Sequence, residues 1–313
     1  MTEPLAPHHS HPHPRESLER CALRAQLRGD TMLGTAFPAA RLLLVEQPGP
    51  WGRDGLRTSR FDRDTALALE RRTVAAGIRV QAIRGPGRTP RGARRRWALV
   101  DTRIGHESLR WGGFDRDADL LELPLDGSTG TDDDAPLYLV CAHSKHDTCC
   151  ALRGRPVAAA IEQVRPGRVF ECSHLGGDRF AANVLVLPAG LLYGRVLPFA
   201  AAEFVAAAEA DEVVGALLRG CVGLPSAAQA ALAFGYEHLA LRRRTDLQVR
   251  STSPVVDGVT TVRIAGPHGL LDVSVQVDKV AATGLTCANP RPNQYLSYRP
   301  VAVVPVEDLP ARE

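Results

Sequence analysis

Four of the seven cysteines and three of the ten histidines fall between Cys141 and Asn183. The first group reads Cys141-Ala-His143-Ser-Lys145-His146-Asp147-Thr-Cys149-Cys150. The second reads Glu171-Cys172-Ser173-His174-Leu175-Gly176-Gly177-Asp178-Arg179-Phe180-Ala-Ala-Asn183. Thiolate and imidazole donors gathered at two points, each beside turn-forming residues, point to a metal or iron–sulfur centre. A thiol redox site and plain buried cysteines are the competing readings.

Cys141 closes an apolar run that reads as a strand, and Cys149-Cys150 stand where a helix begins. A helix N-terminus carries partial positive charge and free N–H groups, which favour thiolate over thiol. The eight residues between Cys141 and Cys150 let a loop fold back and bring both sulfurs to one iron, while one of the adjacent cysteines fills a small buried site. Cys172 and His174, two apart at a strand end, can face the same way. Gly176-Gly177 allows close backbone approach and offers N–H donors to a bridging sulfide or other anion. Asp178 has three readings: a fourth ligand, a partner orienting His174, or the N-cap of a short helix over 179–183. His143 and His146 lie in the loop between the ligand cysteines, as ordinary polar residues or as hydrogen-bond and proton partners of the centre. Paired Cys-x2–4-Cys and His-x3–5-His knuckles of a zinc site are missing, and so is the Cys-x-x-Cys of a thioredoxin-type disulfide. Cys21, Cys221 and Cys287 are isolated and read as structural, with Cys287 in reserve as a ligand.

The elements that must position these groups alternate along the chain. Residues 1–15 form a His-rich tail expected to be disordered. An N-terminal α/β lobe over 16–125 opens with a short helix from Ser17 to about Arg28. It continues with a strand at 41–46, a helix over 63–76 stopped by Gly77, and strands at 78–83, 97–100 and 108–111, the order β-α-β-β-β. The polar stretch 126–135 reads as a linker or exposed loop. Residues 136–242 then give a strand at 137–140, a helix over 151–163, strands at 168–172, 183–187 and 191–196, and helices over about 199–219 and 225–241. This is the order of a thioredoxin-like fold with a helical extension. The first lobe repeats much of that order without a detectable sequence repeat. The last segment, 243–313, is strand-rich and predicts a small antiparallel sheet.

Composition excludes several classes. The net charge of +3 is too small to call for nucleic acid, and only Lys145 and Lys279 are lysine among the 38 basic residues. The basic cluster Arg84, Arg88, Arg91, Arg94, Arg95 and Arg96 lies in a Gly/Pro-rich turn and reads as a solvated hairpin loop, with docking of an acidic partner as the sharper alternative. No run of 18 apolar residues is present, and there is no secretory leader pattern. An odd count of seven cysteines then fits a reducing cytoplasm and ligand chemistry better than a disulfide framework.

Cys141-x8-Cys150, Ser173-His174-Leu-Gly-Gly177 and Arg179-Phe-Ala-Ala-Asn183 together resemble the sucrase/ferredoxin-like family, a branch of the thioredoxin-like [2Fe–2S] ferredoxins. The turn Pro48-Gly-Pro-Trp-Gly52 looks like its bacterial members. The resemblance implies a [2Fe–2S] cluster held by two cysteines and two histidines spaced His-x3-His. Carried over, these are Cys141, Cys150 and His174, with Asp178 at the second histidine position and Cys172 as its substitute. Gly176, Gly177 and Arg179 belong to the matching motif and are candidate cofactor contacts. The expected function is one-electron transfer with an unidentified redox protein or reductase. The alternatives are a thiol-dependent enzyme using Cys150 with His143 or His146 as base, and a cluster-free thioredoxin-like binding module. No paired carboxylates spaced along a sugar cleft are visible, so sucrase chemistry is not expected.

Overall fold

A computed structural model describes residues 20–87, 93–289 and 291–306. The His-rich tail, Ser17, Arg88 and Arg91 lie outside these residues. The described chain is mixed α/β, with a ten-stranded sheet and a separate four-stranded antiparallel sheet. No helix among the described residues is long and apolar enough to cross a membrane.

The large sheet is built from two halves with the same pairing pattern. In the first, β1 (Arg41–Glu46) is followed by α1 of this half, here α2 after the N-terminal α1 (Cys21–Arg28), over Arg63–Ala75. The chain returns in β2 (Ile78–Arg84), parallel to β1. Then β3 (Arg95–Asp101) pairs antiparallel with β1 on its other side, and β4 (Ser108–Phe114) pairs with β3. In the second half β6 (Leu137–Cys141), α3 (Thr148–Val164) and β7 (Val169–Cys172) repeat the parallel strand–helix–strand unit. Again the next strand, β8 (Val184–Leu187), pairs antiparallel with the first, and β9 (Leu191–Tyr193) forms a hairpin with it. Each half therefore has the thioredoxin-like order, and the duplication is one of topology.

The halves meet edge to edge. The equivalent strands β2 and β7 run antiparallel, with Ile83 opposite Cys172 and Arg84 opposite Glu171. Antiparallel pairing of equivalent edges is what a local two-fold axis requires, and it removes an open edge from each half. Strands near the seam are buried on both faces, which is why Leu42–Val45 and Leu137–Cys141 are continuous apolar runs rather than alternating ones.

Three elements differ from the sequence expectation. The Ala-rich stretch 199–219 is not one helix: α4 covers Ala201–Glu209, and β10 (Leu218–Cys221) adds to the sheet beside β9. Helix propensity is a weak prior that strand pairing overrides, and Asp211 at φ 56° breaks the run. The polar stretch 126–135 is not wholly a loop, because β5 (Thr131–Asp132) pairs with β4. Helix α1 starts at Cys21 with Arg20 as its N-cap, and the expected cap Ser17 lies outside the described residues. After α5 (Ser226–Leu239), strands β11 (Gln248–Thr252), β12 (Val259–Gly266), β13 (Gly269–Ala282) and β14 (Asn293–Val306) form the predicted antiparallel sheet. Its inner face (Val262, Ile264, Val273, Val275) joins α5 and the second half of the large sheet in one apolar core.

Candidate metal centre

The site lies at the ends of β6 and β7. Cys141 is the last residue of β6, and its register partner in parallel β7 is Cys172. Helix α3 begins at Thr148, with the Asp147 side chain as cap accepting from the Cys149 N–H at 2.8 Å. Four residues after Cys150, on the same helical face, Gly154 packs against the strand end. A Cβ there would meet the Cys141 carbonyl oxygen at 2.0 Å. Only glycine lets α3 approach this closely, and the approach sets Cys150 beside Cys141.

The ligand atoms of Cys141, Cys150 and His174 all lie within 4.8 Å of one another. His174 Nδ1 stands 4.0 Å from the Cys141 sulfur and 3.1 Å from Asp178 Oδ1. The Cys150 thiol donates to Asp178 Oδ1 at 3.3 Å. A second grouping, His146, His174 and Asp178, shares His174 with the first. The His146 ring stacks on His174 with centroids 3.7 Å apart. Cys172 is in neither grouping; it is fully buried in the adjoining apolar core, where burial pushes its thiol well up.

The electrostatics of the site are uneven. The neighbouring Cys150 thiol and the His174 imidazole hold Cys141 well below the usual thiol range, and Cys150 is raised in turn. Burial raises Asp178 and lowers His146. Both sulfurs are 0% exposed, whereas the His174 side chain is 20% exposed. His143, His146 and His174 border a cleft of about 250 Å³ whose other wall is Arg53–Leu56 and Arg79–Ala82 from the first half. The sulfurs and His143 are buried, while the His146 and His174 imidazoles are partly exposed to the cleft.

The first half supplies the cover. In its own strand–helix loop stands Pro48-Gly-Pro-Trp-Gly52, whose Gly52 carbonyl hydrogen-bonds His143 Nε2 at 2.5 Å. Trp51 meets the His143 ring edge-on at 5.8 Å. His143 also accepts from the His174 N–H through Nδ1 at 3.3 Å, so both its nitrogens are engaged. The symmetry-equivalent loops have diverged: one carries donors, the other closes over them.

Two guanidinium groups flank the centre, Arg219 fully buried and Arg79 partly buried at the cleft. Arg219 in β10 donates to the Gly176 carbonyl and Asn183 Oδ1, both at 2.8 Å, and to the backbone and hydroxyl of Thr35 at 2.6 and 3.0 Å. Burial brings its pKa down to about 9. Arg79, lowered by burial, donates to the His174 carbonyl at 3.1 Å. Neither forms an ion pair among the described residues. Cations without a carboxylate partner, one of them fully buried, suit a centre of net negative charge.

Gly176 and Gly177 adopt φ of +77° and +69°, and Arg219 braces the turn they make. Asp178 opens a short 3-10 turn (Asp178–Phe180) whose N-cap is Gly177, so its carboxylate faces His174 and Cys150 instead of capping. Arg179 pairs with Asp30 at 3.2 Å and lies over the Phe180 and Tyr295 rings. In the basic cluster, Arg84, Arg94, Arg95 and Arg96 pair with Glu171, Asp115, Asp117 and Glu46. Sequence reasoning missed Gly154, Arg219 and the stacking of His146 on His174. Only the glycine left a signal, an interruption in an otherwise Ala-rich helix.

Comparison with curated proteins gives no match, and comparison with solved structures gives none. A family model described as sucrase/ferredoxin-like matches residues 32–220, which span both halves of the large sheet, the covering loop and every donor of the centre. The chain belongs to the sucrase/ferredoxin-like family.

Proposed function

We propose that the protein is a one-electron carrier built around a [2Fe–2S] cluster with mixed cysteine and histidine ligation. The observation that carries this is the convergence of Cys141, Cys150 and His174 within 4.8 Å at the strand ends. The donor chemistry fits: two thiols and imidazole are ligands an iron–sulfur cluster would take, and two guanidiniums, one fully buried, would offset its negative charge. Cys141 and Cys150 supply the sulfur ligands and His174 the first nitrogen. The fourth position falls to His146, which stacks on His174 and groups with it. Asp178 then orients His174 through Nδ1 and caps the Cys150 side of the site. Asp178 as the fourth ligand is the competing assignment, and a carboxylate is the harder, poorer match.

When bound, the cluster supplies one-electron transfer at a potential raised by imidazole in place of thiolate. The solvent-facing imidazoles of His146 and His174 hold or release a proton as the charge of the site changes. His143, fixed by Gly52 and the His174 N–H, holds the ligand loop against the covering loop. Arg79 and Arg219 offset the negative charge of the centre. The cleft beside the imidazoles is where a redox partner approaches. A Cys150 nucleophile finds no support in a thiol that is fully buried and raised.

The test is anaerobic purification of the full chain with absorption spectroscopy and iron and sulfide analysis. The expected result is visible charge-transfer bands with about two irons and two sulfides per chain. Loss of those bands in Cys141→Ser, Cys150→Ser and His174→Ala should accompany it. Colourless, iron-free protein after reconstitution with iron and sulfide overturns the proposal.

A further inference from the structure

Three cysteines outside the proposed cluster meet at one point. Cys21 opens α1, Cys149 lies in the first turn of α3, and Cys287 sits in the loop between β13 and β14. Their sulfurs and the Asp147 carboxylate all lie within 4.8 Å of one another. Cys287 Sγ is 3.4 Å from Cys149 Sγ and 3.5 Å from Cys21 Sγ. Cys21 Sγ is 3.7 Å from each Asp147 oxygen. We infer that Cys21, Cys149, Cys287 and Asp147 form a second metal site, a closed tetrahedral Cys3Asp centre for a thiophilic divalent cation, zinc above all.

Zinc–sulfur bonds of about 2.3 Å and a zinc–oxygen bond of about 2.0 Å put tetrahedral sulfurs roughly 3.8 Å apart and sulfur and oxygen roughly 3.5 Å apart. The separations of 3.4, 3.5 and 3.7 Å in the structure differ from these by a few tenths of an ångström. A disulfide needs sulfurs at about 2.05 Å and leaves a third thiol and a carboxylate stranded. Ordinary core cysteines have no reason to converge from segments 138 and 266 residues apart. The anionic set also sits at the N-termini of two helices, α1 and α3, where the backbone favours negative charge. Asp147 is held for the role by the Cys149 N–H at 2.8 Å and the Cys287 N–H at 2.6 Å. The adjacent cysteines thus face opposite ways, Cys150 to the redox centre and Cys149 to this one. A metal here ties the N-terminal helix, the second half of the large sheet and the C-terminal sheet together beside the ligand loop. Four protein donors with no open position make it a structural site.

The test is metal analysis of the full-length protein from zinc-supplemented medium, purified anaerobically. The wild-type chain, Cys141→Ser and Cys221→Ser should each carry about one zinc, while Cys21→Ser and Cys287→Ser carry almost none. Because those two variants could fail to fold, zinc X-ray absorption on the wild-type chain gives an independent reading: three sulfurs and one oxygen at the bound metal. Four results overturn the proposal: reduced wild-type protein that takes up no zinc, zinc lost from Cys141→Ser but kept by Cys287→Ser, fewer than three sulfurs around the zinc, or a Cys149–Cys287 disulfide in non-reducing peptide maps. None of these depends on whether the iron–sulfur reading holds.

Discussion

Alanine at the two adjacent glycines of the site should have unequal effects. Gly176 and Gly177 both sit in the left-handed region, at φ +77° and +69°, so either substitution costs about 1–2 kcal/mol of backbone strain. At Gly176 nothing lies within 4 Å of the added Cβ, and the effect ends there. At Gly177 the Cβ would stand 2.5 to 2.9 Å from the Arg219 guanidinium. An exposed arginine would swing aside. This one is buried and fixed by four hydrogen bonds, to Thr35, Gly176 and Asn183. Moving it gives up one or two charge-assisted hydrogen bonds worth about 1.5–3 kcal/mol each. Gly177→Ala should therefore lose roughly 3–5 kcal/mol against about 1–2 for Gly176→Ala. In a thermal scan of the two variants side by side, the difference is roughly 4–8 °C in Tm. Equal midpoints, or a lower one for Gly176→Ala, would refute the idea that Arg219 braces the turn.

Gly154→Ala raises helix propensity by about 1 kcal/mol, yet it should lower Tm and iron content together, because its Cβ meets the Cys141 carbonyl at 2.0 Å; a stabilised variant with full iron contradicts the packing argument. His146→Ala should bleach the visible bands while Asp178→Ala only shifts them and Cys172→Ser leaves them intact, read by absorption at matched protein concentration; bands surviving in His146→Ala and lost in Asp178→Ala would make Asp178 the fourth ligand. Asp133 is held below the usual carboxylate range despite its burial, through hydrogen bonds from Arg168 and the Ala135 N–H. A depressed folded pKa gives stability above the unfolded value of about 3.9 that is lost as pH falls through the folded one. The Tm gap between wild type and Asp133→Asn should thus be widest above pH 5 and close in acid, and a gap independent of pH would sink this reading. Arg84 and Glu171 pair at 2.6 Å with side chains 15% and 10% exposed, at the seam between the halves. Glu171→Ala strands a half-buried cation and should cost about 3 kcal/mol, measured by urea denaturation; a change under a few tenths would show that the seam does not depend on the pair.

Legibility in the sequence followed range. Leu42–Val45 and Leu137–Cys141 declare buried strands because both faces are covered, and Gly/Pro punctuation marks their ends. Cys141, Cys150 and His174 were visible because strand end, helix start and double-glycine turn are local signals that the shared topology then superposes. The two-fold relation between halves was legible only as an order of elements, since it resides in pairings such as Ile83 with Cys172. Arg219 gave no sign: a lone arginine in a strand becomes a brace only once β10 lies beside the turn. Cys21 and Cys287 read as isolated for the same reason, because the loop and helix that join them are 266 residues apart. In 199–219 alanine content misled, as pairing of Leu218–Cys221 with β9 outweighs intrinsic preference.

Pulsed electron paramagnetic resonance on the reduced full chain, with histidine labelled with nitrogen-15, tests mixed ligation most directly. The account predicts a paramagnetic [2Fe–2S] signal with strong couplings to two imidazole nitrogens, and no such signal from His146→Ala. A signal without nitrogen coupling, or no signal from protein reconstituted with iron and sulfide, would contradict it.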